Sequence, residues 1–170
     1  LFYDTLMLGL FTDLDLGCAN DDFTGCDTTL GLAYNYNGTP ADVACNGLPG
    51  FGPHPPAFGI VALNTDMHAF GLITNGSAMT GPPLEPSALR NRMFGLWNDG
   101  SPVISSCSDP LAPPTRYIYH GDPMDPIGFS EPVCNNGPAD RRFFSSYGPF
   151  LNVTPGDTIC LDLALIFAQD

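Results

Sequence analysis

The chain has 170 residues and an apolar fraction of 44%, enough for one domain with a real core. Its 18 acidic residues against 5 basic ones give a formal charge of −13, which argues against recognition of a nucleic-acid backbone or an anionic membrane surface. Six cysteines together with 19 Gly and 18 Pro point to a loop-rich protein of an oxidising, extracellular setting.

The basic residues are all Arg, and the acids other than Glu85 and Glu131 are all Asp. Glu and Lys build helices, whereas Asp belongs to turns and ion sites, so the bias speaks against a helical fold. No apolar run reaches the roughly 18 residues that span a membrane, and no signal peptide is visible. The chain opens on Leu1-Phe2-Tyr3 and stops at Asp170 just after an apolar stretch, which we read as a piece of a longer polypeptide.

In chain order, Asp4 to Thr12 places Leu6, Leu8 and Leu10 on one face at period two, as a half-buried strand does. The stretch from Asp13 to Asp27 follows, with five carboxylates and two cysteines in fifteen residues. Like charges this close repel by roughly 1 kcal/mol per pair even in water, so a compact loop calls for a cation. Short oxygen ligands without a neighbouring His favour Ca²⁺ over Zn²⁺. The expected ligands are Asp13, Asp15, Asp21, Asp22 and Asp27, in a loop closed by a disulfide. Cys18 and Cys26 are near enough in sequence to form a small ring, although Cys18, Cys26, Cys45, Cys107, Cys134 and Cys160 are all candidates for pairing. Asp13-x-Asp15-x-Gly17 echoes half of an EF-hand loop, but the bidentate Glu and flanking helices are missing. A second reading has these aspartates simply solvating a surface turn.

Residues 28–36 alternate again and end in the turn pair Asn37-Gly38, predicting a second strand. Residues 39–56 carry too much Pro and Gly for regular structure. Strands are predicted over 57–63 and 68–74, and a helix from Glu85 to Trp97 with Leu89, Met93 and Leu96 or Trp97 on one face. Shorter extended segments follow at 102–105 and 116–119, then a strand at 140–146 and a tight turn at Thr154-Pro155-Gly156-Asp157. In the last segment Ile159, Leu161, Leu163, Leu165 and Phe167 form one large apolar face, which predicts a central strand against the main core. Many short strands, one short helix and long connections predict a single all-β domain, an antiparallel β-sandwich of jelly-roll type.

The order of motifs resembles a β-rich module of large proteins exported by the type IX secretion route of gliding Gram-negative bacteria. The likeness rests on Asp21-Asp22-Phe23-Thr24-Gly25-Cys26-Asp27-Thr28, Leu32 to Asn37, Pro55-Pro56-Ala57-Phe58-Gly59, Met93 to Gly100, Tyr119 to Pro123 and Ala139 to Phe150. It covers nearly the whole chain. It implies a cell-surface or extracellular segment of a long polypeptide ending in a separate sorting domain, and no known catalytic activity. Cys45, Cys107, Cys134 and Cys160 are additional to the family pattern and imply extra stapling.

His120-Gly121-Asp122 with Asp140-Arg141-Arg142 has the residue types of a hydrolase acid, base and clamp, but no nucleophile elbow, HExxH or P-loop pattern accompanies them. Asp140, Arg141 and Arg142 read better as a structural ion-pair anchor, an Arg fork tying this strand to the acidic loop. The aromatics Tyr34, Tyr36, Trp97, Tyr117, Tyr119 and Tyr147 are candidates for a sugar platform or, more ordinarily, for core and cross-strand pairs. The expectation is therefore a secreted, calcium-stabilised structural or adhesive module, not an enzyme, partnered by like copies or neighbouring domains. A carbohydrate-binding module and a hydrolase are the alternatives.

Overall fold

Alternation of Leu6, Leu8 and Leu10 yields the first strand, β1 (Tyr3–Asp13), in a computed structural model that describes residues 3–169. Leu1, Phe2 and Asp170, on which the reading as a piece of a longer polypeptide draws, lie outside the described residues. The chain continues through β2 (Asp22–Asp27), β3 (Leu32–Asn37), β4 (Ala41–Asp42), β5 (Gly52–Pro53), β6 (Ala57–Ala62) and β7 (Met67–Ile73). It ends with α1 (Pro86–Met93), β8 (Val103–Ile104), β9 (Pro114–Thr115), β10 (Arg142–Val153) and β11 (Leu163–Ala168).

The long strands form two antiparallel sheets, one in the order β1-β10-β7 and the other β11-β6-β3-β2. Short ribbons β4-β5 and β8-β9 sit in the connections. The core lies between the sheets: Cys26, Ala33 and Ile60 from one face Phe70, Leu72, Phe143 and Tyr147 from the other. Burying each of the larger side chains contributes about 1.5–3 kcal/mol. This is the expected all-β sandwich with long loops and one short helix.

Three elements differ from the sequence reading. Asp22 to Asp27 is a strand rather than part of a loop, because Cys26 on its inner face joins the core. The helix does not bury Leu89; its buried residues are Ala88 and Arg92. Arg92 lies under the 78–98 segment, where its Nε donates to Asn98 Oδ1 at 2.7 Å and a terminal nitrogen donates to the Met79 carbonyl at 3.1 Å. A guanidinium hydrogen-bonded to Asn98 and Met79 and lying over the Trp97 ring replaces the expected apolar stripe.

The third difference concerns β11, which is an edge strand and not a central one. Leu165 lies opposite the buried Ile60 yet is 67% exposed, because the four-stranded sheet extends past the three-stranded one and β11 is left uncovered.

The other edge of that sheet is closed by an ion pair. Thr24 on β2 donates its free edge N–H to Glu131 Oε1 at 2.8 Å, and Arg141 Nε donates to Glu131 Oε2 at 2.8 Å. Next to it, Cys26 N–H donates to the Tyr119 carbonyl and Ala139 N–H to the Asp22 carbonyl. The outer edge of β7 is covered in the same way by residues 116–118, which bond to Phe70 on both its sides. Glu131 is fully buried and Arg141 nearly so. Removing one partner of such a pair strands the other charge, so Glu131→Gln is expected to destabilise the fold by about 3–5 kcal/mol, read from the midpoint of urea unfolding.

Candidate metal site

The five expected calcium ligands do not converge on one point. β2 holds Asp22 and Asp27 at its two ends, about 17 Å apart at the rise of a strand, so they cannot share an ion. Asp27 instead accepts bonds from the Thr29 hydroxyl and the Thr29 and Leu30 amides, and these hold its carboxyl below the usual range. It organises the turn into β3.

Asp13 and Asp15 do come together, with Asp140 as the third member, their carboxylate oxygens lying within 4.8 Å of one another. The register explains the meeting, since Asp13 ends β1 directly opposite Arg142 at the start of β10. Arg142 approaches Asp13 at 3.9 Å and Asp140 at 3.6 Å, while Asn75 donates to Asp140 at 2.7 Å and accepts from Arg142. Burial raises the Asp13 carboxyl, with Arg142 opposing and Asp140 and Asp15 reinforcing the rise. Of the anchor read from the sequence, Arg142 thus meets the acidic stretch, whereas Arg141 turns inward to Glu131. The triad, with Asp13 and Asp15 exposed and Asp140 half-buried, already has a cation beside it.

Asp21 and Asp22 take a different route. Asp22 is fully buried, and its Oδ2 accepts the Leu16 amide at 3.2 Å. Burial pushes its carboxyl up to about 8, with the neighbouring Asp21, Asp42 and Asp15 adding to the rise. Asp21 is raised likewise, by burial first and Asp42 second, and accepts the Thr39 hydroxyl at 3.4 Å.

Asp42 and Glu131 carry structural weight that the sequence reading missed. Asp42 is buried and accepts the Cys18 amide at 3.0 Å and the Phe51 amide at 2.6 Å. A Cβ on Gly17, which sits at φ 74°, would overlap that carboxylate, so glycine is required there. An acid between Ala41 and Val43, away from any other charge, was the available sign. Glu131 is one of two Glu residues in an Asp-rich chain.

The cysteines correct the small-ring expectation. Cys18 pairs with Cys45 and Cys107 with Cys134, whereas Cys26 is a buried thiol in the core and Cys160 an exposed one. Cys26 lies on the core face of β2, while the backbone at Cys18 has already been drawn to Asp42 on β4. Burial raises the Cys26 thiol far above its ordinary range, which leaves it unreactive.

His120 and Asp122 line an open cavity of about 410 Å³ with Cys26, Asp27, Thr28 and Tyr34. Asp140, Arg141 and Arg142 do not line it, and the His120 ring packs against Phe129 at 5.5 Å. Of the candidate sugar-platform rings, Tyr119 and Tyr147 are in the core, and Tyr117 donates its hydroxyl to the Met67 carbonyl at 2.8 Å. Among the described residues, no helix is long and apolar enough to cross a membrane. Compared with known proteins, the chain matches no family model, no curated protein and no solved structure.

The raised Asp22 carboxyl fixes a pH dependence. Its folded value of about 8 lies above the unfolded value of about 3.9, so its contribution is complete below pH 4 and is lost as pH rises towards 8. In chelator-treated buffer, the melting temperature of Asp22→Asn is expected to overtake that of the parent progressively between about pH 4 and pH 8. Thermal scans across that window test the sign.

Proposed function

We propose that this chain is an extracellular architectural module that assembles with like copies, edge to edge, through β11. The observation carrying this reading is the uncovered strand: Leu163, Leu165, Ile166 and Phe167 are all exposed on an outer edge that, among the described residues, has no strand beside it. An open strand edge offers a row of free N–H and C=O groups, and apolar side chains beside it favour addition of another strand. The run Leu163 to Gln169 carries no charge in a chain of net charge −13, which lowers the repulsion that like molecules meet there.

The remaining edges lack this combination. β2 and β7 are capped by the chain itself, and β1 is interrupted by a register shift between Leu6 and Leu8 and carries Asp4 and Asp13. Two disulfides support an oxidising, extracellular location, as does the sequence resemblance to type IX secretion modules.

Light scattering on size-exclusion peaks at rising concentration tests the reading. The parent chain is expected to shift to dimers or longer assemblies in the micromolar range. A Leu165→Lys, Phe167→Lys double variant is expected to stay monomeric with a melting temperature within a few degrees of the parent, because both side chains are already exposed. A parent chain that remains monomeric at about 1 mM overturns the proposal.

A further inference from the structure

The row of polar side chains at one end of the sandwich interior is not accounted for by packing. Cys26 and Ala33 face each other across β2 and β3 in the apolar core. Two residues further along the same face the opposed pair is Thr24 and Asn35, and two further it is Asp22 and Asn37. Asp22 and Asn35 are both fully buried. Asp22 Oδ1, Asn35 Oδ1 and Asn37 Oδ1 are all shielded from solvent and accept no hydrogen bond from the described residues.

The orientation of both amides is set by their nitrogens. Asn35 Nδ2 donates to the Leu14 and Arg141 carbonyls at 3.4 and 3.3 Å, and Asn37 Nδ2 donates to the Thr39 carbonyl at 2.7 Å. Turning either amide would set oxygen against carbonyl oxygen, so the unpartnered atom is the oxygen in each case. These three buried oxygens sit at neighbouring positions of one sheet face and, once Asp22 is ionised, all three are acceptors, so a cation bound there takes the place of the proton that burial leaves on Asp22. Asp21 adds a further buried oxygen, Oδ1, immediately beside Asp22 in the chain.

We propose that Asp22, Asn35 and Asn37, with Asp21 beside them, bind a hard divalent cation, Ca²⁺, on the inner face of β2 and β3. Carboxylate and amide oxygens without His or thiolate at the site are the donor set of Ca²⁺, which completes six to eight ligands with carbonyls and water. This is a different place from the triad of Asp13, Asp15 and the half-buried Asp140, where Arg142 already supplies positive charge. The proposal does not depend on assembly through β11. With few carboxylates, the site belongs to the weak range of extracellular calcium modules, a Kd of about 10⁻⁴–10⁻³ M.

Calorimetric titration of the disulfide-intact chain with CaCl₂ in chelator-treated buffer at neutral pH tests it. Saturable binding with one ion is expected, together with a calcium-dependent rise in melting temperature of several degrees. Asp22→Asn, whose fold is checked by circular dichroism, is expected to weaken binding at least about tenfold. Asn37→Asp, which sets a second carboxylate opposite Asp22, is expected to tighten it about tenfold, while Asp13→Asn and Asp15→Asn leave it within about twofold. Absence of saturable binding up to about 10 mM CaCl₂ overturns the proposal and leaves buried water as the partner of these oxygens. Binding abolished by Asp13→Asn and Asp15→Asn but retained by Asp22→Asn also overturns it, moving the ion to that triad.

Discussion

The buried pair of Glu131 and Arg141 is the contact on which most of the other features rest. A carboxylate removed from water is costly unless every lone pair is used, and here one oxygen takes a strand-edge amide while the other takes the guanidinium. Arg141 also donates to the Gly137 carbonyl, so the loop before β10 is held from two sides. Its own carbonyl then accepts Asn35 on β3, which links the ion pair to the polar row inside the sandwich. One interaction thereby seals a sheet edge, fixes a long connection and orients an interior side chain.

The fold was legible wherever an alternating or continuous apolar run coincided with burial of at least one face. β1, β6 and β7 fall where Leu6-x-Leu8-x-Leu10, Phe58 to Ala62 and Phe70 to Ile73 place them. The same rule failed for β11, because alternation marks which face is apolar and not whether anything covers that face. Where strands are unequal in number, the overhang exists only at the level of two sheets together. Helix α1 was legible from Pro86 and the run that follows, but its buried face was not, since Arg92 enters by hydrogen-bonding to Asn98 and Met79 rather than by being apolar.

The candidate site was half legible for a related reason. Counting carboxylates locates an acidic neighbourhood, and it brought Asp13 and Asp15 together without revealing Asp140, which arrives from β10's flank. It also grouped Asp22 with Asp27, because a count along the chain does not show that the intervening residues are extended. The amides of Asn35 and Asn37 carry no charge and looked like turn and strand filler. Their significance comes from register, which sets them opposite β2. Glu131 and Arg141, ten residues apart in a Pro-rich stretch, gave no periodic signal at all.

The two disulfides span equal lengths of chain, 27 residues each, and each takes in part of a long irregular connection. Cys18–Cys45 encloses β2 and β3 and reaches the Pro-rich loop after them, and Cys107–Cys134 encloses most of the segment running from α1 to β10. A protease that cuts an exposed peptide inside either ring opens the backbone without releasing a fragment, because the flanking pieces stay covalently joined. The loops within the rings are thus permitted to be long and solvent-facing while the molecule remains in one piece after being nicked.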